Sequence, residues 1–161
     1  MALALLFSGC QTDKKSKEVS ILRVHIEANS DNSGTTQPIS VLRSDPVLVT
    51  IEKEPILTEA SIVAARVIDA RGGFGLEIQF NEMSALTLEQ YSAANPGKHF
   101  AIFGQWGEKK ADGRWLGAPL ITHRIAGGIL SFTPDMSRTN ADRLVIGLNN
   151  VAKKMLKGQL K

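Results

Sequence analysis

An α+β fold, a mostly antiparallel sheet with two helices packed on one face, follows from three features of this 161-residue sequence. Short apolar runs with a two-residue period are separated by clusters of turn formers, which marks hairpins rather than alternating βαβ units. Two stretches change to the three-to-four-residue period of a helix. With 43% hydrophobic residues, a chain of this length buries one core and forms one main domain.

The first strand is residues 19–27, VSILRVHIE, where Leu22, Val24 and Ile26 alternate with Arg23, His25 and Glu27. Residues 28–38, ANSDNSGTTQP, are all turn and loop formers and read as a surface excursion. A second β-rich stretch covers 39–51, broken at Asp45-Pro46, with Val47, Val49 and Ile51 facing one way. EPILTEASI is a connector in which Thr58 caps a short helical turn. Residues 61–70 and 74–80 flank RGG and predict a hairpin whose glycines allow the reversal.

In SALTLEQYSAANPGK, Ser84 or Thr87 caps a helix, and Thr87 with Gln90 has capping-box spacing. Leu88, Tyr91 and Ala94 share a face, and Asn95-Pro96-Gly97 stops the helix. Residues 98–106 and 114–122 predict a second hairpin around the polar loop GEKKADG, and 128–132 a short strand. Thr133 as N-cap, Pro134 at the first helical position and Asp135 beside the positive end of the dipole begin the last helix. Its apolar stripe is Ala141, Leu144, Val145, Leu148, Val151, Ala152 and Met155.

Charge narrows the function classes. The 19 basic residues are interleaved with 16 acidic ones for a net charge of +3, without the basic, aromatic-studded stripe that tracks phosphates, so nucleic acid is not an expected partner. The one cysteine, Cys10, follows the apolar run Ala2–Phe7 and the small residues Ser8 and Gly9, and precedes a polar stretch. LFSGC resembles a bacterial lipoprotein signal, in which the cysteine is acylated. The expectation is a partial signal peptide at 1–9, an acylated Cys10 with a flexible tether to 18, and anchoring by lipid. The alternative is a free cysteine near a disordered end. No later run approaches the ~18 apolar residues of a membrane span, and one cysteine cannot close an intramolecular disulfide.

Catalytic signals are weak. His25, His99 and His123 lack the close spacing of zinc motifs and read as surface or edge histidines, so no metal and no cofactor is expected. Ser131 has no G-x-S-x-G context. Glycines 72, 73, 75, 127 and 128 are not followed by a Lys-Ser or Lys-Thr helix start and read as turns and bulges. Trp106 and Trp115 flank the polar loop and read as a cross-strand pair. The exposed sheet edge and the 105–115 tip, with Trp106, Arg114 and Trp115, form the candidate interaction surface, because edge strands accept extended peptides. No catalytic residue is nominated.

From about Val19 to Met155 the chain resembles the head part of the large periplasmic domain of SecD, a membrane-embedded subunit of the bacterial preprotein translocase. The likeness is carried by EPILTEASIVAARV, by FGLEIQFNEMSALTLEQYSAANPGKHFAIF with Asn95, Gly97 and Lys98, and by GAPLI followed by IAGGILSFTPDMSRTNADRL, with Ala118, Pro119, Gly127 and Gly128. The resemblance implies the α+β head fold at 58–157 behind an N-terminal β segment at 19–57, and a role in handling exported polypeptides. SecD continues into membrane-spanning helices, whereas this sequence stops at KKMLKGQLK, so the expectation is a head without that part. The function expected is a non-enzymatic envelope lipoprotein that faces the periplasm and binds a protein partner or an unfolded exported chain. The alternatives are an envelope hydrolase with an unrecognised site and a purely structural lipoprotein.

Overall fold

The structure, a computed structural model, describes residues 18–29, 34–107, 110 and 112–158. Cys10 and the expected signal and tether lie outside the described residues, apart from Glu18 at the tether's end. In chain order the elements are strands β1 (Ile21–Ile26), β2 (Thr36–Val41), β3 (Val47–Glu52) and β4 (Leu57–Thr58), a 3-10 turn at Glu59–Ser61, strands β5 (Ile62–Ala70) and β6 (Gly73–Phe80), helix α1 (Glu82–Ala94), strands β7 (Phe100–Trp106), β8 (Asp112–Gly117) and β9 (Ile129–Phe132), and helix α2 (Arg138–Leu156).

The described strand pairs are all antiparallel, as expected of an α+β fold. They divide into three sheets, where the sequence had suggested one: a central sheet in the order β4-β1-β7-β8, a β5-β6-β9 sheet and a separate β2-β3 hairpin. Alternation along a strand fixes its faces but not its partners. Leu22, Val24 and Ile26 of β1 point into the main core with Phe100, Ile102 and Trp106 of β7. Ala101, between two of those β7 residues, joins a second cluster with Ile39, Val41, Val49 and Ile51 of the β2-β3 hairpin. The central sheet is therefore covered on both faces, by the main core on one and the hairpin on the other, which explains why FAIFGQW shows no clean alternation.

Helix α2 covers the main core through Ala141, Leu144, Leu148, Val151 and Ala152, all buried. At Gly147 it nearly touches the chain entering β1, since a Cβ there would lie 2.1 Å from Ser20 Oγ and 2.7 Å from Ser20 N. Asn150 Nδ2 donates to Glu18 O at 3.0 Å and Arg143 pairs with Glu18, which strap the same junction. Asn149 accepts from Ala65 N and donates to Ala65 O, both at 2.9 Å. One side chain thus imitates a neighbouring strand and closes the outer edge of β5 at that point.

Both helices begin at residues other than those the sequence suggested. Asn81, not Ser84 or Thr87, caps α1, its side chain accepting from Ser84 N at 2.9 Å. Ser137, not Thr133, caps α2 by accepting from Asn140 N. The reason lies in Asp135: its carboxylate accepts from the Arg43 backbone N–H at 2.9 Å and from the Arg43 guanidinium, and its own N–H donates to Leu116 O. Residues 133–136 are held as a strap between β9 and α2 before helical hydrogen bonding starts. At the 3-10 turn, Thr58 makes no side-chain cap; instead the Ser61 hydroxyl donates to Thr58 O.

Candidate functional site

The two tryptophans do not form an exposed platform. Trp106 stands opposite Asp112 and Trp115 opposite Phe103, so they are not a cross-strand pair. Trp106 is 0% exposed in the main core. The Arg114 guanidinium lies 5.3 Å from its ring centroid, and its buried Nε1 has no hydrogen-bond partner among the described residues. Trp115 is on the other face, half-buried, edge-on to Phe103 and to His25 with centroids 5.3 Å apart in each case. A surface built on Trp106 is excluded by its burial, leaving Arg114 and part of Trp115 accessible.

His25, expected at a surface or edge, is buried. Its Nδ1 bonds Glu52 O at 2.9 Å. Burial lowers its pKa, helped by nearby Arg23, while the Glu52 carbonyl and Glu54 oppose the shift. His99 is half-buried, and the Glu27 carboxylate contacts both its backbone N–H, at 2.8 Å, and its Nδ1, at 2.6 Å. His123 is exposed beside the Thr122 hydroxyl. Among the described residues no group of three or more His, Cys, Asp or Glu side chains is placed to hold a metal ion.

Asn95, Gly97, Lys98, Ala118 and Pro119 meet at one seam. Gly97 N donates to Ile121 O, Ile121 N to Lys98 O, and Phe100 N to Pro119 O. Asn95 Nδ2 donates to Tyr91 O at 2.9 Å, closing α1, and Ala118 packs against the second cluster. Gly127 and Gly128 have φ of +81° and +72°, and a Cβ on Gly128 would meet Ala85 Cβ at 2.6 Å. Glycine is thus required there both by conformation and by the close passage of α1. Gln79 Nε2 donates to Gly127 O and Phe80 N to Gly128 O, fixing this reversal on β6.

Beside this seam lies an open cleft of about 800 Å³ between α1 and the paired ends of β1 and β3. The antiparallel bridge Glu27↔Ile51 and the bond from Ala28 N to Thr50 O bring these strand ends together. Its apolar surface comes from Ile26, Pro55, Ile56 and Tyr91, and its acidic wall from Glu27, Glu52 and Glu54. Asn95 and Lys98, two residues of the SecD-like motif, also line it, as does Thr87. The cleft was not read from the sequence; its signal is three glutamates at strand ends, which only the register gathers.

The chain is thus an α+β module of antiparallel sheets with an open, mixed apolar and acidic cleft, and among its described residues no helix is long and apolar enough to cross a membrane. The family model for the SecDF P1 head subdomain matches residues 35–152, well over half of the chain, and the chain belongs to that family. Two solved structures share the fold. One, described as "Structure and function of a membrane component SecDF that enhances protein export", is 22% identical with a TM-score of 0.58, over 91% of this chain and 71% of that one. The other, a crystal structure of SecDF in its super-membrane-facing form, is 20% identical with a TM-score of 0.58, over 88% of this chain and 21% of that one. No curated protein matches the sequence.

Proposed function

We propose that the chain is a non-enzymatic envelope lipoprotein, acylated at Cys10 and facing the periplasm, whose SecD-head-like domain binds a protein partner or an exported polypeptide during translocation. The observation that carries this reading is the family match across residues 35–152, joined to the description of one structural neighbour as a membrane component that enhances protein export. The open cleft along α1 supports polypeptide binding, since it offers apolar surface and hydrogen-bonding groups along the helix rather than an enclosed chamber for a small molecule. Cys10 and the polar residues after it support the anchor. The domain division, a β segment at 19–57 ahead of a head-like unit at 58–157, belongs to the same proposal.

Crosslinking in envelope preparations from the native host, followed by mass spectrometry, tests the reading. Recovery of translocase components or of exported chains crosslinked to this protein is expected. Recovery of neither refutes it. Mass analysis of the N-terminal peptide tests the anchor: diacylglyceryl on Cys10 is expected, and an unmodified thiol refutes that part alone.

A further inference from the structure

We propose that the cleft beside α1 selects polypeptide segments in which lysine or arginine stands next to apolar side chains. This deepens the polypeptide-binding reading and rests on it. The cleft joins two kinds of surface that such a segment needs at once. Ile26, Pro55, Ile56 and Tyr91 supply apolar contact, while Glu27, Glu52 and Glu54 supply carboxylates. Glu27 is engaged by His99, but among the described residues Glu52 and Glu54 have no ion-pair partner. The one lining cation, Lys98, leaves the described lining net negative.

The contrast with the whole molecule gives this charge its meaning. The chain carries a net charge of +3, so a cationic segment gains nothing from the protein at long range and is attracted only near the glutamates, within a screening length of about 8–10 Å. An anionic segment meets the reverse arrangement. Shape points the same way. Met83, Thr87 and Tyr91 recur at four-residue steps and share one face of α1. Thr87 and Tyr91 line the cleft, and Met83, one turn before Thr87, is 74% exposed. An extended chain alternates its side chains every residue, so mixed cationic and apolar residues place one row on the carboxylates and the other on the apolar surface.

Fluorescence anisotropy with the 161-residue chain tests this, using two fluorescein-labelled peptides of equal length, one alternating lysine with leucine and one alternating glutamate with leucine. The lysine peptide is expected to bind more tightly, with affinity falling as salt is raised. Glu52→Gln and Glu54→Gln are each expected to weaken it roughly two- to five-fold, the scale of an exposed charge pair. Asp45→Asn, on the distant hairpin turn, is expected to leave it unchanged. Equal binding of the two peptides overturns the charge preference and leaves polypeptide binding standing. Lysine-peptide binding that neither glutamate variant alters overturns the cleft as the site. Failure of both peptides to bind overturns the inference together with the reading beneath it.

Discussion

Replacing Gly147 by alanine sets two known effects against each other, and the structure decides the sign. In an exposed helix the change stabilises by about 1 kcal/mol, because glycine is the poorer helix former. Here the new Cβ lies 2.1 Å from Ser20 Oγ and 2.7 Å from Ser20 N. Rotating the serine hydroxyl relieves the first conflict but not the second, so helix and strand must separate by about 0.7 Å to restore ordinary contact. The bonds from Arg143 and Asn150 to Glu18 hold the same junction and resist that movement. Overpacking a tight contact costs about 1–3 kcal/mol, and a junction pinned on both sides belongs in the upper half of that range. The net expectation is a loss of about 1–2 kcal/mol, or roughly 3–6 °C in Tm for a domain of this size. Urea denaturation measures it as a lower midpoint at unchanged slope. Ser20→Ala in the same background removes only the hydroxyl conflict and is expected to restore part of the loss. An alanine variant as stable as the parent, or more stable, refutes the close approach of α2 to β1.

Asn149→Ala leaves Ala65 N–H and C=O without their partner and is expected to cost about 1–3 kcal/mol. Asn149→Asp keeps an acceptor but loses the donor, and is expected to lie between the two by denaturation midpoint. His25 has its pKa lowered by burial from 6.5, so the unfolded chain takes up its proton at higher pH than the folded one. Its contribution to stability is therefore complete above pH 6.5 and falls as pH drops from there towards the lowered native value. His25→Gln is expected to flatten that limb of the stability profile, and an unchanged limb assigns it to other groups. Trp115→Phe leaves Trp106, 0% exposed, as the remaining tryptophan; its emission is expected to be blue-shifted and resistant to acrylamide, whereas efficient quenching contradicts the burial.

Local chemistry was legible in the sequence where neighbours in the chain decide the outcome. RGG between two apolar runs marked the β5-β6 hairpin, Asn95-Pro96-Gly97 ended α1, and Ala141, Leu144, Leu148, Val151 and Ala152 of the predicted stripe are buried, with Val145 and Met155 at its margin half-buried. Distant partners were not legible. Thr133-Pro134-Asp135 has the composition of a helix start, but Arg43 takes the Asp135 carboxylate from 92 positions away. The two tryptophans flank one loop, yet the β7-β8 register, with its irregularity between Ile102 and Phe103, sends them to opposite faces. His25 alternates correctly for an outward residue of β1, and the β2-β3 hairpin covers that outward face. The cleft was hidden for the same reason: Glu27 and Glu52 meet only through the pairing of two strand ends, with Glu54 just beyond.

The central claim is that this head-like domain holds polypeptide in the cleft beside α1. A photo-crosslinking amino acid placed at position 87, inside the cleft, tests it in living cells of the native host during export, with position 45 on the hairpin turn as the control. The expected result is crosslinks to exported chains from position 87 and few from position 45. Equal yields from the two positions, or none from position 87 with the protein intact and in place, contradict the claim.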